Sequence, residues 1–102
     1  MQFEAFVKSI SGAQPPAVLN PYARSLWYDA KGDWGTAHTI IQDMDDATAA
    51  RIHAYLHRKE GDSGNAGYWY KRAGQSMPKY TLSDEWKEIA KTVLPQGDEQ
   101  SP

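Results

Sequence analysis

The sequence predicts an all-α protein, and the strongest support for this is an internal repeat. The phrase Lys31-Gly32-Asp33-Trp34-x-x-Ala37 returns 29 residues later as Glu60-Gly61-Asp62-Ser63-x-x-Ala66. A fixed period of this size is typical of stacked supersecondary units. In addition, apolar residues recur at helical spacing along most of the chain, and no stretch shows the alternation expected of a strand.

These observations predict two stacked antiparallel helix-turn-helix units, at about residues 21–44 and 46–74. A short N-terminal helix precedes them, and a C-terminal helix caps the open end of the stack. Residues 1–94 would then form a single α-helical domain, which suits a chain of 102 residues. Residues 95–102 offer little apolar anchorage, which predicts a flexible tail.

The N-terminal helix is predicted over residues 2–10, since its apolar side chains fall on one helical face. Gly12 and the pair Pro15-Pro16 end it, because both residue types interrupt helices. The residues on this face are Phe3, Phe6, Val7 and Ile10.

The first repeat unit is bounded by recognisable start and stop residues. Asn20 can cap a helix that begins at Pro21 and runs to about Lys31. Gly32 then supplies the left-handed residue that commonly follows a helix, and Asp33 can cap the next helix, which ends near residue 43.

The second unit has the same kinds of helix start and stop residues. Asp45 or Asp46 can cap a helix that runs to Glu60, and Gly61 stops it. Asp62 and Ser63 begin the partner helix, which Gly74 ends. The last helix is expected to start at the capping box Thr81-x-x-Asp84, with Ser83 as the rival cap. Its apolar side is formed by Trp86, Ile89, Ala90, Val93 and Leu94.

The second unit resembles the tetratricopeptide pattern of helical hairpin repeats. The positions that carry the resemblance are Gly61, Ala66, Tyr70, Ala73 and Pro78, although the period is 29 residues and not the family's usual 34. The stretch from Leu26 to Gly74 also resembles a set of small uncharacterised bacterial proteins. The tetratricopeptide resemblance implies stacked hairpins with a concave binding groove. The second resemblance implies no activity.

Composition excludes several functional classes. The net charge of −2 and the pI of about 5.8 disfavour nucleic acid and anionic membranes as partners. The absence of cysteine removes disulfides, thiolate metal sites and a cysteine nucleophile. The N-terminus shows no signal-peptide pattern and no stretch matches a bilayer span, so the expected location is cytoplasmic.

The most distinctive polar group lies on the third repeat helix. His53 and His57 are four residues apart and Glu60 follows three later, so all three share one side of the helix. Two imidazoles and a carboxylate could bind zinc or another divalent cation, with His38 in support. The alternative is that the histidines are interhelical hydrogen-bonding residues at the border of the core. We expect no cofactor and no metal, with His53, His57 and Glu60 as the weak candidate metal set.

Other candidates point to partner binding. Tyr28 is the repeat equivalent of His57, and it is expected beside it in the groove. Tyr68 and Arg72 share a second helix face and could anchor a partner or an anion. The acidic residues Asp43, Asp45 and Asp46 lack a calcium-loop pattern and are interpreted as helix caps.

The predicted function is therefore a protein- or peptide-interaction module, with a homodimer as one form of that interaction. The residues predicted to take part are His38, His53, His57, Glu60, Tyr28, Tyr68 and Arg72. The alternative is a small metal- or ligand-binding protein or an enzyme that uses His53, His57 and Glu60. Any catalytic residue is unknown, and an enzyme is the less favoured class.

Overall fold

The computed structural model describes residues 1–95, and the regular secondary structure of this part of the chain is all α-helix. It forms six helices and no strands. Their bounds are α1 Phe3–Ser9, α2 Pro21–Ala30, α3 Trp34–Ile41, α4 Ala47–Lys59, α5 Ser63–Arg72 and α6 Leu82–Val93. The all-α prediction is confirmed, and the repeat units predicted at 21–44 and 46–74 bracket α2–α3 and α4–α5.

The predicted caps are present at the start of five helices. Asn20 accepts a hydrogen bond from the amide of Ala23 at 2.9 Å, which begins α2. Asp33, Asp46 and Asp62 cap α3, α4 and α5 in the same way. Thr81 caps α6, so Ser83 is not the cap.

The repeat is visible in the turns that follow α2 and α4. Gly32 and Gly61 have φ values of 87° and 89°, the left-handed region that favours glycine. The amide of Asp33 donates to the carbonyl of Tyr28, and the amide of Asp62 donates to that of His57, each at 2.9 Å. The doubled Gly-Asp phrase therefore encodes two copies of one helix–helix turn.

Helix packing follows the hairpin order. α2 packs most extensively against α3, and α4 against α5, while α3 contacts α4 and α6 contacts both α2 and α4. The main core is formed by side chains from α1, α2, α3, α4 and α6, among them Phe6, Trp27, Ile41, Leu56 and Ile89. A smaller cluster of Ala54, Ala66 and Tyr70 joins α4 to α5.

Two buried carboxylates link α4 to its neighbours. Asp29 of α2 accepts from the hydroxyl of Tyr55 at 2.7 Å and from the ammonium of Lys59 at 2.9 Å. Glu85 of α6 accepts from the guanidinium of Arg58 at 2.8 Å. Each buried carboxylate thus has a cationic partner on α4, which is Lys59 for Asp29 and Arg58 for Glu85. Because a buried charge without such a partner is costly, these contacts hold α2, α4 and α6 in register.

None of the helices formed by residues 1–95 has the length and apolar character needed to cross a membrane. The tail predicted at 95–102 lies, apart from the exposed Pro95, outside the described residues.

Candidate functional site

Three histidines meet where α3, α4 and α5 pack together. His38 comes from α3, while His53 and His57 come from successive turns of α4. The Nε2 atoms of His38 and His53 are 2.9 Å apart. One ring nitrogen from each histidine lies within 4.8 Å of those of the other two. The ring centroids are 4.6, 4.9 and 5.4 Å apart, so the three imidazoles surround a common point.

The cluster sits at the border of the core, as the helical projection of α4 predicts. His53 is 6% exposed and His57 is 9% exposed, whereas His38 is half-buried. His38 is thus the most exposed of the three imidazoles.

Two indole rings flank the histidines. Trp34, one helical turn before His38, stacks on its ring with centroids 4.8 Å apart and planes 10° apart. Trp69 of α5 stacks on His53 at 4.0 Å and 16°. The Nε1 of Trp34 donates to the carbonyl of Leu56 at 2.8 Å, which fixes that indole against α4. These contacts restrict the rotation of His38 and His53 and orient their nitrogens towards each other.

Glu60 contacts the cluster from outside. Its Oε2 lies 2.7 Å from Nδ1 of His57, and its side chain is 39% exposed. A carboxylate on one imidazole nitrogen leaves the other nitrogen available, and it fixes the ring's tautomer and orientation. This is the arrangement in which metal-bound histidines are usually held.

Asp62 approaches the same side of His57 but has another role. His57, Glu60 and Asp62 form a second group of neighbouring ligand atoms. The carboxylate of Asp62 accepts hydrogen bonds from the backbone and side-chain amides of Asn65, at 3.2 and 2.8 Å. These bonds lower the pKa of Asp62 and commit it to capping α5.

The surroundings keep two of the imidazoles neutral. Burial, with the nearby His38 and His57 acting in the same direction, lowers the pKa of His53 to about 4. Burial also lowers the pKa of His38, with His57 acting in the same direction while the charge of Glu60 opposes them. A neutral imidazole carries a nitrogen lone pair, which is the form that binds metals.

The geometry suits a small central cation. Ring nitrogens about 2.1 Å from a tetrahedral zinc ion lie about 3.4 Å from one another. The Nε2 atoms of His38 and His53 are 2.9 Å apart, about 0.5 Å closer than this value, and the ligand atoms of all three histidines lie within 4.8 Å of one another.

Within the described part of the chain, the other predicted site residues, Tyr28, Tyr68 and Arg72, have side-chain contacts with residues other than the histidines. The ring of Tyr28 contacts Trp27 on its own helix at 5.2 Å, whereas the ring neighbours of His57 are Trp34, His38 and His53. On α5, the hydroxyl of Tyr68 accepts a hydrogen bond from Arg72 at 3.2 Å. Of the acidic trio, Asp46 caps α4.

Comparison with known proteins adds no further information about the site: the chain matches no family model, no curated protein and no solved structure.

The contacts of the two flanking indoles with the histidines were not predicted from the sequence. The spacing of Trp34 and His38, four residues apart on one helix, is the signal that pairs these rings. No comparable signal pairs Trp69 with His53, because that contact depends on how α5 packs against α4.

Proposed function

We propose that this protein binds a divalent transition-metal ion, of which zinc is the representative, through His38, His53 and His57. The observation that carries the proposal is the convergence of three imidazole nitrogens within 4.8 Å of one another. Imidazole is a preferred ligand of zinc, copper, nickel and iron, and a poor ligand of magnesium and calcium.

The contact between His38 and His53 supports this proposal. Two facing Nε2 atoms 2.9 Å apart share one hydrogen, since one nitrogen donates and the other accepts. A cation between them would take the place of that hydrogen and bond to both Nε2 atoms, with the donor ring carrying its proton on Nδ1 as the other neutral tautomer. His57 would supply the third bond while its Nδ1 stays paired with Glu60.

Three protein ligands leave one position of a tetrahedral ion open, as in catalytic rather than structural zinc sites. His38 is the most exposed of the three histidines, and an open position beside it would be able to accept water or a small ligand. Such a site would be able to exchange its fourth ligand.

This proposal replaces the ligand set expected from the sequence, in which His53, His57 and Glu60 formed a weak candidate and no metal was favoured. His38 takes the third ligand position, and Glu60 becomes a positioning residue that orients His57.

The test is a titration of tag-free, metal-free protein with Zn²⁺ in competition with a chromophoric chelator. We expect one ion per chain, and absorption bands of tetrahedral Co²⁺ on substitution with cobalt. His38→Ala should weaken Zn²⁺ binding by at least about 100-fold. Gln42→Ala, an exposed change one turn further along, is the matched control.

Two results would overturn the proposal. One is the absence of stoichiometric Zn²⁺ binding by the wild-type protein. The other is equal affinity in wild-type and His38→Ala proteins that have the same helical circular dichroism. Binding of Mg²⁺ as tight as that of Zn²⁺ would also contradict an imidazole site.

The interaction role predicted from the sequence remains the second candidate, and an exposed pair on α5 favours it. Tyr68 is 52% exposed, and the guanidinium of Arg72 lies over its ring and over that of Trp69, at 5.9 and 5.2 Å from the two centroids. An aromatic face beside a cation suits an acidic peptide of a partner protein. In pull-down experiments, Arg72→Ala should lose a partner that Lys71→Ala retains. Retention of every partner by both variants would count against this surface.

A further inference from the structure

A second candidate site is a cleft on the opposite side of α4 from the histidines. It lies between α1, α2, α4 and α6 and has a volume of about 400 Å³. Its walls are mainly apolar, and the side chains that form them are Val7, Ile10, Ala30, Leu82 and Trp86. Small-molecule sites typically have about this volume, about 300–1,000 Å³, and combine apolar walls with a few polar groups.

The polar groups of the cleft are Asp29, Tyr55, Lys59 and Ser83. Asp29 is only 2% exposed, and both of its oxygens are engaged, one by Tyr55 and the other by Lys59. The side chain of Lys59 is 41% exposed. Its ammonium therefore has one N–H bonded to Asp29 and further N–H groups able to face a ligand.

Ser83 adds a second donor. This residue is exposed at the first turn of α6, and within residues 1–95 its hydroxyl makes no hydrogen bond. The accessible polar atoms of the cleft are thus an ammonium and a hydroxyl, and the carboxylate behind them is already satisfied.

We propose that this cleft binds a small carboxylate that carries an apolar body, such as a medium-chain fatty acid. The carboxylate would accept hydrogen bonds from Lys59 and Ser83, and the apolar body would lie against Leu82 and Trp86. An amine-bearing ligand is disfavoured, because its charge would meet the ammonium of Lys59 before the buried carboxylate of Asp29.

This inference does not depend on the metal proposal. Lys59 and Glu60 are neighbours in sequence, but Lys59 pairs with Asp29 of α2 whereas Glu60 pairs with His57. The two sites therefore use different sides of α4, and a change in one can be measured while the other is monitored.

The test uses octanoate as the probe and octylammonium, which has the same chain length and the opposite charge, as the control. Binding of each is measured from the shifts of amide and indole signals in ¹⁵N–¹H NMR spectra. We expect octanoate to shift the signals of Ala30, Leu82 and the Trp86 indole. Octylammonium should bind at least about tenfold more weakly, since it lacks the acceptor that Lys59 requires.

Two variants locate the site. Ala30→Trp places a large side chain at an exposed position of the wall and should weaken octanoate binding at least tenfold, with Zn²⁺ binding unchanged. The double variant Asp29→Asn/Lys59→Met removes the ammonium without leaving a buried charge unpaired, and it should have the same effect. Lys79→Met, an exposed lysine outside the cleft, is the control.

Equal binding of octanoate and octylammonium would overturn the proposal, as would shifts confined to residues outside the cleft. Unchanged octanoate affinity in both cleft variants would also overturn it. Loss of Zn²⁺ binding in the His38→Ala variant with octanoate binding intact would show that the two sites bind their ligands independently.

Discussion

Replacing Glu60 tests whether a carboxylate outside the histidine cluster tunes the proposed metal site. Glu60→Ala removes the acceptor that lies 2.7 Å from Nδ1 of His57. Loss of such a partner typically weakens metal binding by about 10–100-fold. Because the side chain is 39% exposed and partly screened by water, we expect the lower end, about tenfold or about 1.4 kcal/mol.

Glu60→Gln shows how much of the loss in zinc affinity comes from the charge of Glu60. The amide oxygen can still accept from Nδ1–H of His57, but without a charge, and a neutral hydrogen bond has about half the strength of a charged one. The expected loss is then about threefold, between wild type and Glu60→Ala. Chelator competition measures both values, and Glu4→Ala on α1 serves as the control.

The metal-free proteins separate this effect from folding. An ion pair as exposed as that of His57 and Glu60 contributes less than about 1 kcal/mol to the free energy of unfolding. Thermal unfolding of the metal-free variants should therefore stay close to wild type. Zinc affinity within twofold of wild type in Glu60→Ala would refute the positioning role of Glu60.

Three further predictions concern the scaffold. Tyr70→Phe removes both hydrogen bonds to the buried Glu85, at 2.7 and 2.6 Å, and should lower the free energy of unfolding by about 1.5–3 kcal/mol in urea titrations. Burial raises the pKa of Tyr55 and Tyr70 above the ordinary 10.0, so folding favours their neutral forms. This stability is complete below pH 10 and is lost as pH rises further. Tyrosinate absorbance from these two should appear only with loss of helical circular dichroism, and earlier ionisation would contradict their burial. Gly61→Ala should lower the free energy of unfolding by about 1–2 kcal/mol, because the φ angle of Gly61 is 89°. Gly67→Ala, inside α5, should raise it by about 0.5–1 kcal/mol. Equal effects of the two substitutions in urea titrations would contradict the left-handed turn at Gly61.

Helix positions could be predicted from the sequence because their signals are local. Asn20, Asp33 and Asp62 each bond to an amide three residues away, and Gly32 and Gly61 adopt the conformation that glycine favours. Such contacts depend on a few neighbouring residues, so a pattern of residue types is enough to place them.

The candidate site could be predicted only in part. The pairing of His53 with His57 follows from one helix, and so does the contact of His57 with Glu60. The approach of His38 to His53 depends on how α3 packs on α4, which no spacing within either helix specifies. The buried Asp29 and Glu85 were missed for the same reason, since their partners on α4 are 26–30 residues away.

Stability and proposed function are carried by different sides of α4. Tyr55, Arg58 and Lys59 neutralise or bond buried carboxylates of α2 and α6, and removing any of them would leave a buried charge short of a partner. The three histidines on the other side of α4 do not neutralise a buried carboxylate of another helix. Apolar rings could fill the same space beside Trp34 and Trp69 without polar nitrogens that need partners. Three imidazoles with converging nitrogens are therefore not required by packing, which is why a metal ion is proposed at the histidines.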